Sequence, residues 1–124
     1  LAQVTIPSSV TSIGGGAFCR CTSLTQVVNQ SSIKTIERST FCECESLVQI
    51  NIPSSVTAIG GRAFYGCSSL VQIAVTSSVS SIGDDAFDKC SSMTHITLPS
   101  SIDASKLSLD SRVTVKKVYL GGWL

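Results

Sequence analysis

A stretch of 23 residues is repeated along this chain, and that period limits the fold more than any other feature does. Leu47 to Ser69 reads LVQINIPSSVTAIGGRAFYGCSS, and copies beginning at Leu1, Leu24, Leu47, Leu70 and Met93 follow one another at that spacing. A fixed period of about 20–50 residues marks a solenoid, in which each copy is one coil stacked on the next. Ordering the backbone costs roughly 1–2 kcal/mol per residue, more than the inward side chains of one coil can offset, so the copies are expected to fold only as a stack. The 124 residues therefore read as one solenoid domain, 1–124.

Within each copy the pattern predicts three segments. Positions one, four and six are apolar, as in Leu47, Ile50 and Ile52, with Gln49 and Asn51 between them. Alternation of this kind turns positions four and six to one face of a short strand and positions three and five to the other. Pro53, like Pro7 and Pro99, ends the strand before a Ser pair that recurs in every copy. The β-branched segment Val56 to Ile59 predicts a second extended segment, and Gly60 with Gly61 a sharp bend. Ala63, Phe64 and Cys67 have the spacing of one face of a short helical turn. The expected fold is thus mainly β: a parallel sheet of short strands, a second extended segment and one short helical turn per coil.

Two copies depart from the pattern. In the second, Asn29 takes the inward position six, Gln30 replaces the Pro, and Glu37 with Arg38 replaces the Gly pair. Asn29-Gln30-Ser31 is also an N-glycosylation sequon, which needs an exposed Asn; the repeat alignment favours an inward one. The fifth copy loses the pattern after Ile102, and residues from about 103 to 124 are expected to form an atypical cap. Val113 to Leu120 would supply its last strand, before Gly121, Gly122, Trp123 and Leu124.

Composition narrows the partners. Nine basic residues against eight acidic ones, with only 14% of the chain charged, leave no concentrated basic patch for nucleic acid or an anionic membrane. No apolar run approaches the roughly 18–20 residues of a membrane span, so no membrane insertion is expected. The outward row at position three is Gln3, Gln26, Gln49, Gln72 and His95, and position five adds Thr5, Val28, Asn51, Ala74 and Thr97. Stacked about 4.8 Å apart, these form an uncharged strip that either bonds to itself or contacts a partner. The strip is the candidate binding site.

The six cysteines follow the repeat. Cys21, Cys44, Cys67 and Cys90 share position twenty-one and are expected to form a core ladder of unreactive thiols. Cys19 and Cys42 share position nineteen in adjacent coils, within the Cα range of roughly 4.4–6.8 Å that a disulfide spans; in a secreted protein a 19–42 disulfide is expected. Cys19, Cys21, Cys42 and Cys44 superficially suggest a zinc site, but two of them already have places in the core. His95 is the single histidine, without a nucleophile or orienting acid assigned to it, and Asp84, Asp85 and Asp88 lack the glycine and bidentate Glu of a calcium loop. The chain is accordingly not read as an enzyme, and no cofactor or metal is assigned.

The repeat, written LxxIxIPSSVTxIGxxAFxxCSS, resembles that of the BspA-like leucine-rich-repeat family over residues 1 to about 102. That resemblance implies a right-handed solenoid, a surface-associated protein of bacteria or protists, and adhesion or recognition of a protein or glycan. The expected function is a non-enzymatic binding or adhesion module, extracellular or on a cell surface. The alternative is a structural or docking subunit that uses the ends of the solenoid. Leu1, Val4, Ile6, Val10, Ile13 and Phe18 would leave an open apolar face, so that end is expected to be covered by further repeats or a partner chain.

Overall fold

The computed structural model describes residues 2–119; Leu1 and residues 120–124, including the tail Gly-Gly-Trp-Leu, lie outside the described residues. It is a parallel solenoid of about five turns. One wall is built from β1 (Gln3–Ile6), β2 (Gln26–Asn29), β4 (Gln49–Ile50), β6 (Gln72–Ala74), β8 (His95–Pro99) and β9 (Thr114–Val118). A second wall is built from β3 (Thr35–Ile36), β5 (Ala58–Ile59) and β7 (Ser81–Ile82). Every pairing is parallel and joins equivalent repeat positions, as Gln3 with Gln26 and Ile36 with Ile59. The exception is β9, where Thr114 pairs with His95 after a shortened coil containing a 3-10 turn, Ala104–Lys106. Asp103 caps that turn by accepting from the Ser105 amide and hydroxyl, and these two bonds hold its carboxyl below the usual carboxylate range.

The inward residues make one continuous core. Leu47, Val56, Phe64, Cys67 and Leu70 are fully buried, and their equivalents above and below join the same cluster. Phe18, Phe41, Phe64 and Phe87 stack in a column with centroids 5.3, 5.6 and 5.5 Å apart and near-parallel rings. Such offset stacking adds a specific contact to the area that the rings bury. In the first coil Val4, Val10, Ile13 and Phe18 are only half-buried, whereas Val27, Ile33, Ile36 and Phe41 one coil on are buried.

The third side of the coil differs from the expected helical turn. Amides at positions seventeen, nineteen and twenty-one bond three residues back within the coil, as Cys42 N–H to Ser39 O at 3.1 Å. Those at sixteen, eighteen and twenty instead reach the next coil, as Ser39 N–H to Gly61 O and Phe41 N–H to Ala63 O. Half of the amides that a helix would use internally are committed between coils, so no helix forms. The backbone accommodates this with two left-handed residues per coil. Position sixteen holds Gly16, Ser39, Arg62, Asp85 and Ser108, position twenty holds Arg20, Glu43, Gly66 and Lys89, and all nine have positive φ.

The Gly pair serves close approach rather than a left-handed bend. A Cβ on Gly60 would lie 2.6 Å from the Arg38 amide nitrogen, and one on Gly83 would lie 2.4 Å from that of Gly61. The second Ser of each pair also has a structural task, since Ser55 and Ser78 donate to the Ile33 and Val56 carbonyls of the preceding coil at 2.6 Å.

Candidate functional site

The strand wall carries the predicted strip in register: Gln3, Gln26 and Gln49 pair in one run, and Gln72 with His95 in another. Between the two runs the sheet is interrupted. At the other junctions of these coils the position-two carbonyl accepts two amides from the coil above. Ala2 O accepts from Thr25 and Gln26, Thr25 O from Val48 and Gln49, and Val71 O from Thr94 and His95. Among the described residues no such bond joins Val48 O to Val71 or Gln72, and β4 and β6 belong to separate three-stranded sheets. The second wall runs unbroken across the same junction through β5 and β7.

The interruption lies beside an unusual bridge. Asn51 does not offer its side chain outward for a partner: its Oδ1 accepts from the Asn29 amide and its Nδ2 donates to the Asn29 carbonyl, both at 2.7 Å. Two side-chain bonds thus stand in for strand pairing between coils two and three, and β4 is only two residues long. Asn29 itself is 3% exposed, which settles its inward placement, and its Oδ1 accepts from the Ser31 amide and hydroxyl. Its Nδ2 is buried without a protein partner.

A groove of about 810 Å³ lies across the interruption. Gln49, Gln72, Ala74, His95 and Thr97 line it, as the strip predicted; Gln3, Thr5, Gln26 and Val28 lie on the same wall but outside it. Position two contributes residues that the alternating pattern left aside. Val48 and Val71 are 52% and 43% exposed and form an apolar pair on the groove wall, with Thr94 above them. Their signal in the sequence is a β-branched apolar residue directly after the inward Leu47 and Leu70, where the first two copies carry Ala2 and Thr25. The Thr94 hydroxyl lies 2.9 Å from His95 Nδ1. No carboxylate, amine or guanidinium lines the groove, so it is built for apolar contact and neutral hydrogen bonds rather than for acid-base chemistry.

The remaining candidates sit elsewhere. The Cys44, Cys67 and Cys90 thiols each point to the position-eighteen carbonyl of the preceding coil, at 3.1 to 3.2 Å from Phe18, Phe41 and Phe64. Burial pushes the Cys44 and Cys90 thiols up to about 12 and raises that of Cys67 as well, which keeps them protonated and inert. Cys19 and Cys42 are present as thiols, not as a disulfide. Among the described residues no group of three or more His, Cys, Asp or Glu side chains is placed to hold a metal ion. Asp84 and Asp88 belong to the intercoil ladder, where their carbonyls accept from Arg62 and Gly66.

Comparison with known proteins agrees with this architecture. The chain is similar to a leucine-rich repeat protein from Bacteroides ovatus, with 26% identity and a TM-score of 0.69 over 95% of this chain and 36% of that one. It is similar to the leucine rich repeat protein of T. pallidum, with 27% identity and a TM-score of 0.73 over 94% of this chain and 51% of that one. A leucine rich cell surface protein of Faecalibacterium prausnitzii shares 38% identity and a TM-score of 0.71 over 92% of this chain and 30% of that one. The chain therefore spans about a third to a half of the length of these relatives. No curated protein matches it. The BspA type leucine rich repeat region matches residues 1–109 in six copies, and the chain belongs to that family.

Proposed function

We propose that the chain is a non-enzymatic binding module that recognises a protein partner through the groove on its strand wall. The observation that carries this is the coincidence of the exposed Val48 and Val71 pair with the interruption between β4 and β6. An apolar side chain of a partner fits between the valines, while the Val48 carbonyl and the Val71 and Gln72 amides, bonded to no neighbouring coil, are free to meet a peptide backbone. A glycan is the weaker fit, because the groove offers no aromatic face other than the His95 ring. The uncharged lining implies association with little electrostatic steering and little dependence on salt. A cell-surface setting accords with the family and with the relative from F. prausnitzii described as a cell surface protein.

The test uses a library of random peptides displayed on phage, selected against the immobilised chain. Enriched peptides should carry apolar residues, and they should lose at least about tenfold in affinity toward the double variant Val48→Asp, Val71→Asp, the loss expected for buried anchors at an interface. Peptides that bind this variant as well as the original chain would overturn the groove as the site.

A second reading, docking through an end, draws on the half-buried Val4, Val10 and Phe18 of the first coil. It predicts self-association that Val4→Lys weakens in sedimentation measurements.

A further inference from the structure

We infer that Cys19 and Cys42 form an oxidisable clasp that covalently joins the first coil to the second. The register is fixed on both sides of the pair: Phe18 N–H donates to Thr40 O at 2.9 Å, and Arg20 N–H donates to Cys42 O at 2.8 Å. The exposed Arg20–Glu43 ion pair runs alongside at 3.1 Å. Residues paired in register across a parallel ladder lie about 4.8 Å apart, inside the Cα range of roughly 4.4–6.8 Å that a disulfide spans. Copies three and four have Tyr65 and Asp88 at this position, so the pair occurs only where the first coil meets the second.

The other thiols are differently engaged. Those of Cys44, Cys67 and Cys90 point to main-chain carbonyls. Cys19 is half-buried and reachable, whereas Cys42 is 9% exposed, and this sets the order of events. The Cys19 thiolate attacks one sulfur of an oxidised low-molecular-weight disulfide such as glutathione disulfide, forming a mixed disulfide and releasing one glutathione thiolate. Cys42, having given up its proton to solvent, then attacks the Cys19 sulfur and releases the second. The protein loses two hydrogens and two electrons, and glutathione disulfide is reduced to two thiols. The resulting bridge ties down the coil whose apolar residues are least covered.

The experiment equilibrates the full 124-residue chain with glutathione disulfide and then alkylates the remaining thiols in denaturant. Trypsin cuts after Arg20 and a glutamyl endopeptidase after Glu43, so Cys19, Cys21, Cys42 and Cys44 fall on separate peptides. One bridge is expected, between the peptide ending at Arg20 and the peptide Ser39 to Glu43, with the other four cysteines alkylated. Amides of the first junction, Thr25, Gln26 and Gln30, should exchange at least about tenfold more slowly after oxidation, because the bridge suppresses fraying of the terminal coil. Cys19→Ser, a change at a half-buried position, should abolish that slowing. Six alkylated cysteines, a bridge through Cys21 or Cys44, or a 19–42 bridge that leaves exchange unchanged would each overturn the clasp.

Discussion

The turn side and the strand wall of this solenoid are made from the same repeats and behave differently. On the turn side the Phe column, the thiol-to-carbonyl ladder and the alternating amides continue from coil to coil with little change. On the strand wall the copies diverge: Asn29 and Asn51 replace strand pairing with side-chain bonds, and the ladder stops between β4 and β6. The difference shows where each kind of constraint lies. Packing and intercoil bonding hold the turn side to a fixed pattern, which leaves the opposite wall free to vary and to present a groove.

The largest effect that separates the two sides is expected from the buried ring column. Phe64→Ala removes a fully buried ring stacked on both faces and should cost about 3–5 kcal/mol in urea unfolding. Replacing the outward Gln72 with Ala should stay within about 0.5 kcal/mol. A comparable loss at both positions would erase the distinction.

The next effect tests the bridge. Asn51→Ala leaves the Asn29 amide and carbonyl without their partners, and should cost about 1–3 kcal/mol if these groups stay out of water. Loss of protection at the Asn29 amide, measured by hydrogen exchange, would locate the effect.

Alkaline titration probes the thiol ladder. The folded state raises these thiols above their ordinary value of 9.0, to about 12 for Cys44 and Cys90, so the unfolded chain releases their protons first. Their contribution is complete below pH 9.0 and is lost as pH rises toward about 12. Stability measured from pH 8 upward should fall less steeply in Cys67→Ala, whose thiol is raised in the same way; an unchanged slope would count against the ladder.

The smallest effect tests backbone strain on the turn side. Ser39 has φ of 59°. Ser39→Gly removes a left-handed penalty of about 1–2 kcal/mol and adds unfolded-state entropy of about 0.5–1 kcal/mol. A net gain of about 0.5–1 kcal/mol is expected, and a loss would show that the serine side chain has a further role.

Local alternation made much of the fold legible from the sequence. Leu47, Ile50 and Ile52 announce an inward face, and the same phase carries Asn29 inside despite its polarity and its sequon. The turn side was misread because Ala63, Phe64 and Cys67 have helical spacing, while the bonds that prevent a helix run to the next coil and leave no local trace. Residues such as Arg62 and Lys89 give no compositional hint of left-handed backbone. The Gln49, Gln72 and His95 part of the site followed from period two. The Val48 and Val71 pair and the missing ladder bonds did not, since both arise from how coil four sits on coil three.

The opening between coils three and four is tested most directly by amide hydrogen exchange resolved to single residues. Val71 and Gln72 should exchange at least about tenfold faster than Val48, Gln49, Thr94 and His95, whose amides are bonded to the coil below. Equal protection at all six amides would mean that the ladder is continuous there, and would contradict an open groove.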